Sequence, residues 1–168
     1  MSGMPFHIRD FEPEDFDRLW EIDQGCFPPG ISYSRQELKS YMRQPSSFTL
    51  IAEIERDRNG ATGVDLRSAT IQGFIVAHGG LTGHIITIDV IEAARRSGLG
   101  SQLLATAEDR LRVAGSHAVG LEAAVDNHAA ITFYKRHGYD VVRTRPRYYC
   151  NGVDALVMKK QLESSREA

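Results

Sequence analysis

The chain is short of several things, and each shortage excludes something. Its 168 residues hold only two cysteines, Cys26 and Cys150, whose spacing matches neither a metal knuckle nor a redox pair. No run approaches the ~20 apolar residues of a membrane span, and Met1–Asp10 has no apolar stretch of the kind a secretion signal carries. A cytoplasmic, reduced protein with no membrane partner and no metal is the simplest expectation. An excess of one charge sign is lacking too. Twenty Lys and Arg against 22 Asp and Glu leave a net charge of −2, so no global positive field points to nucleic acid. Lys135, Arg136, Arg143, Arg145 and Arg147 form a local basic stretch, readable as a solvated surface or as a neighbour of anionic groups. Repeats and internal linkers are absent. What is present, 42% hydrophobic and 25% charged residues, is enough for one sizeable core. We therefore expect a single domain over 1–168, fraying in its polar tail over 161–168. Monomer and homodimer stay open.

The hydrophobic pattern divides the chain. Phe6-His7-Ile8-Arg9 alternates as a strand, and Pro13 with its flanking acids starts a helix whose apolar face is Phe16, Leu19, Trp20 and Cys26 or Phe27. Pro28-Pro29-Gly30 breaks it. Ser34 with Glu37 reads as a capping box for a second helix, reaching about Arg43. Phe48–Ile54 is a strand, Glu55–Ser68 a long mobile hairpin connection, Ala69–Ala77 a strand and Gly79–Gly83 a turn. An apolar β-branched strand, Ile85–Val90, leads into a helix from Gly98 to near Gly115. Ala118–Ala124 is a strand and Asn127 caps a helix over about His128–His137. Tyr139–Thr144 and Val153–Lys159 close as an antiparallel pair. Strands and helices alternate only in the second half.

The segment Arg95-Arg96-Ser97-Gly98-Leu99-Gly100 stands where that strand meets its helix. The first N–H groups of a helix lack intrahelical partners and carry the positive end of its dipole, so they suit a phosphate. Glycine lets the backbone approach. The P-loop string G-x-x-x-x-G-K-S/T occurs nowhere, and the dinucleotide fingerprint fails because Leu103 stands where its third glycine belongs. An ordinary strand-to-helix turn with two glycines is the bland alternative.

What remains, R-x-x-G-x-G after a strand, resembles the acetyl-CoA signature of the GNAT N-acetyltransferases. A second string is longer and more specific. Leu121-Glu122 through Asn127, Ala130-Ile131, Phe133-Tyr134 and Gly138-Tyr139 is similar to the L-E-V-x-x-x-N-x-x-A-I/L-x-L/F-Y-x-x-x-G-F/Y string of that superfamily. It is most similar to the branch holding the RimI-like N-terminal acetyltransferases. Arg145-Pro146-Arg147-Tyr148-Tyr149 resembles that branch's R-x-Y-Y segment. The likeness covers about Ile85–Lys159 well and the N-terminal third in outline. It implies the α/β GNAT fold: a mixed, mostly antiparallel sheet of about seven strands, flanked by about four helices. Acyl-CoA would enter where strands 4 and 5 splay apart.

The resemblance also implies roles. Acetyl-CoA is the expected cosubstrate, held by backbone groups of Ile88 and Val90, by Arg95, Arg96, Ser97, Gly98, Leu99, Gly100 and Ser101, and by Asn127 and Tyr134. Glu122 is the expected general base, because partial burial at a strand end raises a carboxylate pKa toward a useful value. Tyr134, seven residues beyond Asn127 on about the same helix face, is the expected general acid toward the thiolate. Each has a structural alternative: Glu122 paired with a cation, Tyr134 packed in the core, Asn127 acting only as a cap. Asp89 and His84 are further base candidates, Asp89 more readily a buried polar residue and His84 a surface one. Phe27, Ile31, Tyr33, Tyr148 and Tyr149 lie on the family's acceptor side. The branch's Phe-Pro-Trp is Phe27-Pro28-Pro29-Gly30 here, which weakens the case for a ribosomal-protein substrate. An N-terminal α-amine, at ~7.7–8.0, needs less help to lose its proton than a lysine at ~10.4. Acetyl transfer to a peptide N-terminus or to a small amine is therefore the expected function. A non-catalytic acyl-CoA-binding module is the alternative from another class, and a nucleic-acid binder a weaker one.

Overall fold

The computed structural model describes residues 6–54 and 70–163. The connection expected over Glu55–Ser68 and the end of the tail, 164–168, lie outside the described residues. In chain order the elements are β1 (Phe6–Asp10), α1 (Phe16–Cys26), α2 (Arg35–Met42), β2 (Ser47–Ile54), β3 (Ile71–His78), β4 (Thr82–Val90), α3 (Leu99–Val113), β5 (Ala118–Ala124), α4 (His128–Arg136), β6 (Asp140–Arg145) and β7 (Ala155–Gln161). The seven strands form one sheet in the order β1-β2-β3-β4-β5-β7-β6. Every neighbouring pair is antiparallel except β4 with β5.

Period-two alternation gives the sheet two apolar faces. On β3, Ile75 and Ala77 point to one side, where Leu99, Leu103, Leu104, Ala107 and Leu111 of α3 cover them. Phe74 and Val76 point to the other, under Phe16, Leu19 and Ile22 of α1 and Leu38 of α2. The spacing of the α3 leucines thus buries one continuous helix face. Among the described residues, no helix is long and apolar enough to cross a membrane.

Several element ends shift by one to three residues from expectation, and two of the differences have a clear physical cause. Gly83 belongs to β4 rather than to a turn: a Cβ there would sit 2.9 Å from Leu111 Cδ1 and Cδ2, so glycine lets α3 press on the strand. The chain does not fray at Gln161, which pairs with Ala118. Leu162 then buries its side chain in the core and donates its amide to His117 O at 2.8 Å.

The feature that positions a site is the short contact between β4 and β5. Only Thr82, Gly83 and His84 pair with Ala118, Val119 and Gly120. Beyond them β4 stays with β3 up to Val90 and β5 stays with β7 up to Ala124. The two strands diverge, and a gap opens between their C-terminal ends.

Candidate active site

The register aims backbone groups into this gap. Ile91 donates its amide to Gln72 O on the β3 side. In an antiparallel ladder alternate residues bond the same neighbour, so Thr87 and Asp89 also turn toward β3, and Ile88 and Val90 turn away from it. A bulge adds to this: Val76 faces Thr87 and Ala77 faces Ile85, which leaves Ile86 as the extra residue. Part of the Val90 group is already engaged, since its carbonyl accepts from Arg95 Nε at 3.0 Å and from Cys26 Sγ at 3.4 Å.

At the end of the gap stands the N-terminus of α3. Gly98 is its N-cap with φ 85°, a left-handed conformation that glycine adopts without strain. No atom outside its chain neighbours lies within 4 Å of where its Cβ would be, so conformation rather than space requires glycine. The first intrahelical bond is from Gln102 N to Gly98 O. The amides of Leu99, Gly100 and Ser101 therefore have no partner within the helix. The Leu99 side chain is buried in the core, so only its amide is available. A Cβ on Gly100 would meet the Phe133 ring at 3.5 Å. Arg95, Arg96 and Ser97 are exposed around this cradle, with Arg96 at φ 62° and the Ser97 hydroxyl donating to Ala94 O.

At the mouth of the gap, His84 Nε2 lies 2.6 Å from Glu122 Oε2, and Arg145 Nη1 lies 3.7 Å from Glu122 Oε1. The expected rise in the Glu122 pKa is not found. Burial pushes its pKa up, but the hydrogen bond and charge of His84 and the charges of Arg145 and Arg143 outweigh it, and the net shift is downward. Glu122 is thus a carboxylate held ionised, and His84, expected as a surface histidine, is its partner.

Tyr134 is 8% exposed on α4, with its ring 5.6 Å from Tyr139 and 5.3 Å from Phe133. Burial, then the nearby charges of Asp89 and Tyr149, push its phenol above the ordinary range and keep it protonated. Asn127 caps α4, its Oδ1 accepting from Ala130 N at 3.2 Å, which leaves its amide NH2 for another partner.

Two loops face each other on the α1–α2 side. In the first, Phe27 caps α1, Ile31 is half-buried, and the Tyr33 hydroxyl donates to the bulge carbonyl of Ile86 at 3.4 Å. In the second, the rings of Tyr148 and Tyr149 pack at 5.0 Å, with Arg145 over Tyr148 at 4.7 Å. The loops touch at Gly30, where a Cβ would lie 2.9 Å from Asn151 Cβ.

A gap between parting strands, a bare helix N-terminus beside it and an ionised carboxylate with a histidine at its mouth can together hold an anionic ligand and take up a proton. The Acetyltransferase (GNAT) family model matches residues 16–139. The chain belongs to this family and is an N-acetyltransferase. The GNAT protein is 37% identical over 166 residues to an N-alpha-acetyltransferase of Sulfurisphaera tokodaii, covering 96% of each chain. It is similar to the structure of Chaetomium thermophilum Naa20 in complex with a bisubstrate analogue, at 27% identity and TM-score 0.72 over 93% of this chain and 86% of that one. The structure of Ard1 from Thermoplasma volcanium shares the fold at TM-score 0.80 and 24% identity, over 95% and 99% of the two chains.

Sequence reading of this GNAT chain missed three contributors. Asp23 sits on the buried face of α1, where its Oδ2 accepts the amide of Tyr33 at 2.8 Å. An acid at a position the helix period assigns to the core was the available signal. Tyr41 packs its ring 5.2 Å from Tyr33. His137 Nε2 lies 2.9 Å from Ser101 Oγ at the α3 N-terminus. Asp89 itself is 1% exposed and sealed against Thr87 and Asp23, which matches the structural role and removes it from the gap. Of the basic stretch, Arg143 and Arg145 lie on exposed strand β6, where they face Glu122. Among the described residues no cluster of three His, Cys, Asp or Glu could hold a metal ion.

Proposed function

We propose that this GNAT enzyme transfers acetyl from acetyl-CoA to the α-amine of a peptide or protein N-terminus. The observation that carries the reading is the 2.6 Å contact between His84 and Glu122, placed where β4 and β5 part.

The chain's groups fit acetyl-CoA. The free amides of Leu99, Gly100 and Ser101 suit its diphosphate, with Arg95, Arg96 and Ser97 alongside. The outward backbone groups of Ile88 and Val90 suit the pantetheine, and the Asn127 NH2 is a further donor. When bound, acetyl-CoA supplies the acetyl group activated as a thioester. A β4 amide aimed into the gap polarises the acetyl carbonyl as a fixed dipole. Glu122, bonded to His84 Nε2, fixes the imidazole tautomer and leaves Nδ1 as the basic nitrogen. His84 then accepts the proton of the attacking amine, and the ionised Glu122 stabilises the resulting imidazolium. Tyr134 holds a proton on its phenol for the departing sulfur.

An α-amine suits this machinery. With a pKa ~7.7–8.0, a sizeable fraction is neutral at physiological pH, whereas a lysine at ~10.4 is almost wholly charged. The facing aromatic loops, Tyr33 with Tyr41 and Tyr148 with Tyr149, support an extended peptide entering between them. The relationship to the Sulfurisphaera tokodaii N-alpha-acetyltransferase supports the same acceptor. Two unpaired thiols, Cys26 and Cys150, support a reducing compartment such as the cytoplasm. The test is a peptide panel with acetyl-CoA, read by free thiol release. Peptides with free N-termini should turn over, and the same peptides with blocked N-termini and an internal lysine should not. Equal rates for both sets would overturn the α-amine assignment.

A further inference from the structure

Two carboxyls lie buried together on the α1 side of the sheet. Asp23 on α1 is 0% exposed and Asp89 on β4 is 1% exposed, and the electrostatics of each is shaped by the other. Asp23 Oδ2 accepts the amide of Tyr33 at 2.8 Å and Gln24 Nε2 at 3.3 Å. Asp89 Oδ1 accepts the hydroxyl of Thr87. The remaining oxygens, Asp23 Oδ1 and Asp89 Oδ2, are buried and have no donor among the described residues. Ionised carboxylates only accept, so two of them in contact need a proton between them. These two orphan oxygens are the places where such a proton would satisfy both groups.

The pair joins three parts of the site. Asp89 is on β4, one residue from Ile88 and one from Val90. Asp23 is in the last turn of α1, just before the acceptor loop. Through Tyr33 N it holds the far end of that loop, and Trp20 Nε1 and Gln24 Nε2 both donate to Tyr33 O.

We propose that Asp23 and Asp89 share one proton and act as a positioning pair that clamps the acceptor loop, residues 27–33, onto β4, and that loss of this proton in alkali loosens the loop and weakens acceptor binding. The inference rests on the peptide-acetylating reading for its kinetic arm only. Burial first, and for Asp89 then the charge of Asp23, disfavours full ionisation; the hydrogen bonds from Tyr33 N and Thr87 act the other way, and the net shift is upward for both groups and large for Asp89. Other facing groups modulate this. Glu37 on α2 adds a repelling charge, and Arg95 after β4 an attracting one. Burial first, and then the Asp89 charge, pushes the Cys26 thiol on α1 and the Tyr134 phenol on α4 up and favours their neutral forms.

The test uses Asp89→Asn, whose amide donates to Asp23 Oδ1 at every pH while its oxygen still accepts from Thr87. Asp23→Asn is the second variant, making the same bond in the opposite sense. Peptide KM and the exchange rate of the Tyr33 amide are measured for each from about pH 6 to about pH 10. The ratio of wild type to variant cancels the acceptor's own titration and the intrinsic base dependence of exchange. Both ratios should stay near one in the acid range and rise about fivefold or more in alkali, with kcat and acetyl-CoA affinity unchanged. Flat ratios in the variant that folds would overturn the shared proton. A rising exchange ratio with a flat KM ratio would overturn the acceptor role. The exchange arm needs no substrate, so an enzyme that turns over no peptide still decides whether the clamp exists.

Discussion

His84 Nε2 and Glu122 Oε2 meet at 2.6 Å across the point where β4 and β5 separate. The contact does two things at once. It ties the strands together beside their last paired residues, His84 and Gly120, and it sets an imidazole against an ionised carboxylate at the mouth of the gap.

Replacing Glu122 by Gln removes the charge but keeps the shape. If His84 takes the amine proton, kcat should fall by about 10²–10⁴-fold while acetyl-CoA affinity holds. Stability should follow the same group. The folded pKa of Glu122 is depressed, so its contribution is present above the unfolded value of about 4.3 and is lost as pH falls through the lower folded value. Urea unfolding should show the variant about 1 kcal/mol weaker at neutral pH, with the gap closing in acid. A constant difference across pH would show that the ion pair is not its source.

Tyr134 can be separated from the base. Tyr134→Phe keeps the ring that packs on Tyr139 and Phe133 and removes only the hydroxyl. Turnover should drop about 10²-fold, with the acetyl-CoA dissociation constant within about twofold of wild type. Unchanged turnover would assign Tyr134 to packing alone.

The two cradle glycines fail for different reasons. Gly98 is left-handed with open space around it, so Gly98→Ala should cost about 1–2 kcal/mol through strain, and Gly98→Asn, which tolerates that conformation, should recover part of it. At Gly100 the nearest neighbour is the Phe133 ring. If the α3 amides hold the diphosphate, Gly100→Val crowds it and should raise the acetyl-CoA dissociation constant at least about tenfold, measured by calorimetry. Equal loss at both positions for Ala would contradict this division.

Much of the fold and part of the site were legible in the chain. Ser34 and Glu37 cap α2 reciprocally as the pattern requires, Ser34 N to Glu37 Oε2 at 2.7 Å and Glu37 N to Ser34 Oγ at 3.1 Å. The α3 leucines and the Asn127 cap also fall where local rules place them. What local rules missed depends on partners distant in sequence. Glu122 reads as a raised carboxyl until His84, 38 residues away, is set against it. Gly83 reads as a turn until Leu111 is seen to need its missing Cβ. Asp89 reads as an isolated acid until Asp23 arrives from α1.

The loop contact gives a prediction about the acceptor alone. Gly30 combines φ 90° with a Cβ position 2.9 Å from Asn151 Cβ. Gly30→Ala should push the two aromatic loops apart and raise peptide KM about threefold to tenfold, with acetyl-CoA affinity unaffected. A parallel loss of cosubstrate affinity would show that the loops do not act on the acceptor side only.

The most direct measurement is a crystal structure with a conjugate of coenzyme A and a short peptide joined through its N-terminal nitrogen. The diphosphate should rest on the amides of Leu99, Gly100 and Ser101, the pantetheine should run between β4 and β5, and the peptide nitrogen should lie within reach of His84, with the chain leaving between Tyr33 and Tyr148. A conjugate seated elsewhere, or a peptide nitrogen remote from the His84–Glu122 pair, would contradict the account.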